Sequence, residues 1–300
     1  MIFRTLLLLF GVYCCSTAVI MIKACIVPPV MLSAYRLIGA GVLLLPLFVK
    51  DYRRHCASLD AAGRRSFARR ELTRSILPGL LLAVHFISWI IGARMTPAVN
   101  SSLIVNMVPV VMPFILLAML RERLTRGELV GTLLAVAGLA TLAAADFNIS
   151  REHLAGDAIC LGSMLFFAVY LALGRRNRHA ASIWLYLVPL YLLGGVLCLI
   201  AGLMYDAQFG VASAKDALLT AGLILVPTIL GHSILNYSMK HIRGQIVSLT
   251  NLGQFIFAGV MAYFWHDEIP AYTFYIAGAL IVAGAVVALK NQPPLDLNSA

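Results

Sequence analysis

Two pairs of polar residues interrupt apolar stretches of this chain at the same spacing. His85 and Trp89 stand four residues apart, and so do His232 and Asn236. A four-residue step puts both members of a pair on one face of a helix. An imidazole donates and accepts hydrogen bonds and can take up a proton near neutral pH. A second set is uncharged: Ser102 and Asn106 at a four-residue step, and Ser248, Asn251 and Gln254 at three-residue steps. Their amides and hydroxyls suit the polar groups of a small solute, and equally serve as hydrogen-bonding glue between helices. Arg36 lies within an apolar run, where a guanidinium needs a carbonyl or an acid. It can meet a solute carboxylate or tie its helix to a neighbour's end, and the second reading is favoured. Tyr13 and Tyr170 offer aromatic walls or packing. HExxH, a buried aspartate pair and GxSxG beside a histidine are absent, so the residues point to binding and not to enzyme catalysis. The six cysteines form no CxxC pair; they read as packing residues, with no disulfide frame, metal site or cofactor.

The elements that must hold these groups follow from composition. The chain is 61% hydrophobic and only 12% charged, against about 25% charged in soluble domains. Runs of roughly 20 apolar residues fit a bilayer core. Ten are readable, at 3–22, 28–49, 75–94, 97–120, 127–145, 156–174, 182–204, 217–238, 244–265 and 271–289. The first reads as a membrane helix and not as a cleaved leader, because Val12-Tyr13-Cys14-Cys15 is no small-residue cleavage site. The net charge of +10 is explained by position. With the N-terminus inside, Lys23, Arg94, Arg151 and Lys215 are the basic residues left on the outer side, Arg36 sits in a span, and the rest face inward. That asymmetry predicts cytoplasmic N- and C-termini in a multi-pass protein of the cell (inner) membrane. Basic loops beside anionic lipid account for the charge without a nucleic-acid partner.

The chain also repeats itself. Glu122, Gly131 and Gly138 recur 146 residues later as Glu268, Ala277 and Gly284. Five spans per half make the second half start on the opposite side of the membrane. The fold class expected is therefore an all-α membrane protein with ten transmembrane helices in two inverted five-helix repeats. The repeats cover 1–145 and 155–290, with a linker at 146–154, containing Asp146, Asn148, Ser150 and Arg151, and a cytoplasmic tail at 291–300. Such repeats give two near-equivalent packings, the basis of alternating access.

Thr96–Ala145 resembles the EamA-type domain of the drug/metabolite transporter superfamily. The residues that carry the likeness are Ser101-Ser102, Pro109, Pro113, Arg121-Glu122-Arg123-Leu124-Thr125, Gly131 and Gly138. Gly231-His232, Asn236, Lys240, Val247-Ser248-Leu249, Glu268, Pro270 and Gly284 resemble the second such domain, and Arg36 after Pro28-Pro29 fits the second helix. The resemblance implies ten helices, cytoplasmic termini, a central cavity and transport of small metabolites, often export of amino acids. One departure is that Phe255 stands where the first half has Pro109, so the two gates are not expected to move alike.

Taken together, the residues predict a carrier, exporter or facilitator, for small polar metabolites such as amino acids. The alternative is a flippase for a lipid-linked substrate on the same fold, with Arg36 as its basic group. No acid falls at mid-membrane, so proton coupling would run through His85 or His232. Uncoupled facilitated diffusion is the favoured expectation.

Overall fold

The computed structural model describes residues 2–146, 152–205, 210–211, 213–266 and 272–292. Glu268, Pro270, Asn148, Ser150 and Arg151 lie outside these residues, as does 293–300 of the expected tail.

All described secondary structure is helical. In chain order the helices are α1 (Ile2–Ser16), α2 (Ala18–Ala24), α3 (Pro29–Cys56), α4 (Ala61–Met95), α5 (Ala98–Val105), α6 (Val108–Leu120), α7 (Arg126–Asp146), α8 (Leu154–Arg176), α9 (Ile183–Met204) and α10 (Ala214–Leu223). A π-helix (Ile224–His232) leads directly into α11 (Ser233–His241), followed by α12 (Gly244–Asn251), α13 (Gln254–His266) and α14 (Tyr272–Lys290). Among the described residues, 8 segments are long and apolar enough to cross a membrane: Ile2–Ala24, Pro29–Cys56, Ala61–Met95, Asn100–Leu120, Leu154–Arg176, Ile183–Met204, Ala214–His241 and Tyr272–Lys290. These match eight of the ten expected spans. The other two, 127–145 and 244–265, are occupied by α7 and by α12 with α13, which are not among the eight.

Several spans are interrupted, two of them for a local reason. Between α1 and α2 the Thr17 hydroxyl donates to the Cys14 carbonyl at 2.8 Å and the Ser16 hydroxyl to that of Tyr13 at 2.6 Å, the side-chain competition that bends helices. Between α5 and α6 the chain breaks at Asn106–Met107, because Pro109 in the first turn of α6 lacks the N–H that would continue the ladder. The α12–α13 span has Phe255 in place of that proline, yet it breaks all the same, at Leu252–Gly253.

Large apolar side chains line the outside, with Leu133 62% and Leu218 74% exposed, as expected of a surface that meets lipid chains. Inside, small residues let backbones close on one another. A methyl group on Gly131 would strike the carbonyl oxygen of Gly284, and one on Gly284 would strike that of Gly131. Gly138 faces the carbonyl of Ala277 in the same way. Thus α7 and α14 exchange contacts between positions that correspond in the sequence repeat. On α3 and α9, Gly41 faces Leu192 and Gly195 faces Ile38, again crosswise.

Candidate functional site

The site begins with a proline. Pro227 has no N–H to offer the Leu223 carbonyl four residues back. The Thr228 hydroxyl donates to that carbonyl instead, at 2.7 Å, and the chain widens into the π-helix that ends at His232. Such wide turns mark functional sites in many helices. Arg36 Nε donates to the same Thr228 hydroxyl at 3.2 Å, and Tyr191 donates to the Thr228 carbonyl at 3.3 Å.

The π-helix delivers His232 against α4 and α8. Its ring centroid lies 6.3 Å from that of His85, 5.0 Å from Phe86 and 5.6 Å from Phe167. His85 is fixed more firmly. Its Nδ1 lies 2.8 Å from the Ser163 hydroxyl and 3.1 Å from the Ser163 carbonyl. Its ring stacks near-parallel to those of Trp89, at 6.0 Å and 4°, and Phe167, at 4.6 Å and 15°. His232 Nδ1 and Trp89 Nε1, both buried, have no hydrogen-bond partner among the described residues.

The rings of His85, Trp89, Phe167 and His232 wall a cavity together with Cys15, Ala18, Val105, Asn106, Pro227 and Gln254. A smaller lobe adds Ser16, Val19, Ser102 and Ala258. Among the described residues, no carboxylate lines either part. The free volume is about 20 Å³, with about 10 Å³ in the lobe. That is room for a water molecule, so the walls are closed on one another.

An amide chain crosses the cavity floor. Gln254 Nε2 donates to Asn251 Oδ1 at 2.7 Å, Asn251 Nδ2 to Asn106 Oδ1 at 3.2 Å, and Asn106 Nδ2 to the Ser102 carbonyl at 2.8 Å. It joins the two helix breaks, one in each half of the chain.

Of the expected site residues, His85, Trp89, Ser102, Asn106, His232 and Gln254 line this space. The others lie elsewhere. Asn251 is one step behind, within the amide chain. Ser248 is turned to its own helix, donating to the Gln245 carbonyl at 2.8 Å. Asn236 donates to the Tyr170 hydroxyl and to the His232 carbonyl, so it and Tyr170 tie α11 to α8. Tyr13 is 42% exposed and meets Phe257 edge-on. Arg36 is fully buried behind the wall, with its guanidinium 4.0 Å over the Phe86 ring and Nη1 and Nη2 unpaired among the described residues. Phe167 and Cys15 were not anticipated. Phe167 lies three residues before Tyr170, a helical step that a face-by-face reading of α8 exposes.

The Arg121–Thr125 run acquires a physical role. Arg121 adopts a left-handed conformation (φ 54°) that ends α6, a capping turn usually made by glycine. The chain reverses there and brings Glu122 to Arg175 Nε at 3.1 Å. Thr125 and Glu128 then form a reciprocal cap: the Glu128 N–H donates to the Thr125 hydroxyl, and the Thr125 N–H to Glu128. Glu128 in turn holds Arg243, whose Nη2 also donates to the Arg123 carbonyl at 2.7 Å. Burial opposes the charge on Arg243. The hydrogen bond and charge of Glu128, with Glu122, outweigh it and hold the pKa above the ordinary guanidinium value. Arg175 Nη1 reaches the Met239 and Ile242 carbonyls at 3.1 and 3.2 Å. Acids of the first half thus clasp arginines of the second. At the opposite end, Thr96 donates to Asp157 at 2.6 Å and the Ile26 N–H to Asp216 at 3.0 Å.

A model of the EamA-like transporter family matches residues 3–144 and again 154–290. A protein of Archaeoglobus fulgidus, described as an uncharacterized transporter, is 28% identical over 205 residues, covering 68% of this chain and 72% of the relative. A solved crystal structure superposes with a TM-score of 0.75 at 17% identity, covering 97% of this chain and 99% of the other. At that identity the likeness is one of fold.

Proposed function

We propose that this chain, which belongs to the EamA-like transporter family, carries a small polar metabolite, with amino acids as the leading class, by alternating access between two inverted five-helix halves. The observation that carries the proposal is the position of the closed cavity: it lies where His85 of one half meets His232 of the other. In this reading all ten spans cross the membrane, counting α7 and the broken α12–α13 pair. The crosswise contacts of α7 with α14 support the inversion, since a two-fold axis between like helices exchanges contacts in this way. The arginine-rich end faces the cytoplasm of a cell membrane, with both termini on that side. The Glu122–Arg175 and Glu128–Arg243 pairs close that end.

His232, Trp89, Asn106 and Gln254 are the polar groups a solute would meet when the walls part. His85 shapes the wall. Arg36 and Asn236 support the π-helix and α11 from behind. The absence of a carboxylate from the cavity lining among the described residues favours uncoupled facilitated transport, with His232 the group to titrate if a proton moves. The same lining speaks against a phosphate-bearing lipid-linked cargo, because no cation among the described residues lines it.

The test is counterflow in proteoliposomes with labelled amino acids, with and without a pH gradient. Accumulation of at least one zwitterion, insensitive to the gradient, is expected. Accumulation that follows the gradient would overturn the uncoupled mechanism. Counterflow confined to solutes of another class would overturn the amino-acid assignment.

A further inference from the structure

Away from the cavity, at the arginine-rich end, α4 and the C-terminal turn of α8 enclose a groove of about 660 Å³. Four guanidinium groups line it: Arg69, Arg70 and Arg74 of α4, and Arg176 of α8. The acid Glu71 is close by. It is buried and pairs with Arg70 at 3.3 Å and Arg74 at 3.1 Å. Arg70 also lies over the Phe67 ring. Arg69 and Arg176 are exposed and have no protein partner among the described residues. The groove therefore keeps an excess of positive charge with donors free to bind.

Its floor is different in kind. Leu77, Pro78 and Leu173 form it, at the level where α4 passes from its charged first turns into its apolar span. Leu72, Ile76 and Leu80, at four-residue steps on α4, are 47%, 51% and 43% exposed and continue an apolar strip outward from the groove. A cationic rim above an apolar floor, open to lipid on one side, complements a molecule with an anionic head and hydrocarbon tails. Basic pockets between membrane helices bind anionic headgroups in this way.

We infer that this groove is a binding site for an anionic phospholipid, whose phosphate is held by Arg69 and Arg176 and whose acyl chains lie along Leu77 and Leu80. The arginines of Glu71's cluster form its back wall. The lipid would bridge α4 and α8, which belong to different halves of the chain.

The probe is fluorescent phosphatidylglycerol, titrated into the purified full-length protein in a neutral detergent, with fluorescent phosphatidylcholine as the zwitterionic reference. Phosphatidylglycerol is expected to bind at least tenfold more tightly. Arg69→Gln with Arg176→Gln weakens it roughly thirtyfold, in line with about 1 kcal/mol for each basic residue at an anionic surface. Arg64→Gln with Arg65→Gln removes the same charge from the same helix outside the groove and leaves binding unchanged. Gel filtration and circular dichroism report folding of both variants. Equal affinity for the two lipids overturns the proposal, as does equal loss in the two double variants. Displacement by glycerol phosphate as efficient as by the lipid itself would show a headgroup site without a lipid, and overturns it too.

Discussion

Arg243 grips Glu128 with both arms across the two halves of the chain: Nε lies 2.5 Å from Oε1, and Nη2 lies 3.0 Å from Oε2. Glu128 is fully buried at this point. Breaking such a pair by removing one partner leaves a buried charge alone, a loss of about 3–5 kcal/mol. Arg243→Gln is therefore expected to part the arginine-rich end. The check is modification of Cys15, kept as the lone cysteine, by a membrane-impermeant thiol reagent. Cys15 lines the cavity, so its labelling from that end should quicken at least tenfold. An unchanged rate in a folded protein would sink the gate. The pair does not loosen in alkali: a raised guanidinium pKa means that its contribution is present below the ordinary value and lost only as pH rises through the higher one.

The two histidines should separate in their effects. His85 is bound to Ser163 and stacked with Trp89 and Phe167, so His85→Ala is expected to cost about 1–3 kcal/mol of stability, read as a lower melting temperature. His232 presents an unpaired Nδ1 to the cavity wall. His232→Ala is expected to slow solute exchange by about tenfold or more, with a smaller change in melting. The opposite pattern would exchange their roles.

Gly131→Ala and Gly284→Ala each force a methyl group onto a carbonyl oxygen of the facing helix. Each should destabilise the protein by about 1–3 kcal/mol. Gly162 of α8 has nothing within 4 Å of where its methyl would stand, so Gly162→Ala is the control and should be neutral or slightly stabilising. Thermal unfolding in detergent compares the three. Equal behaviour would mean that α7 and α14 are not tightly joined.

Much of the architecture was readable from hydropathy, because a span of apolar residues has few alternatives in a bilayer. The positions of the broken helices were harder. Pro109 announces one break, whereas the other, at Leu252–Gly253, falls in a stretch without proline. For the site, four-residue steps correctly placed His85 beside Trp89 and Ser102 beside Asn106. They could not say which neighbour each face meets. Asn236 shares the π-helix side of His232 but turns to Tyr170, and Ser248 spends its hydroxyl on its own backbone. Arg121 gave no turn signal at all, since a left-handed arginine is indistinguishable by type from a helical one.

The smallness of the cavity bears on how binding will look in a test tube. A space that holds about one water admits a solute only in molecules whose walls have already separated. The apparent dissociation constant is then the intrinsic one divided by the fraction of open molecules. A substitution that merely favours opening will look like a gain in affinity without adding a single contact. One that tightens the clasp will look like a loss without touching the solute.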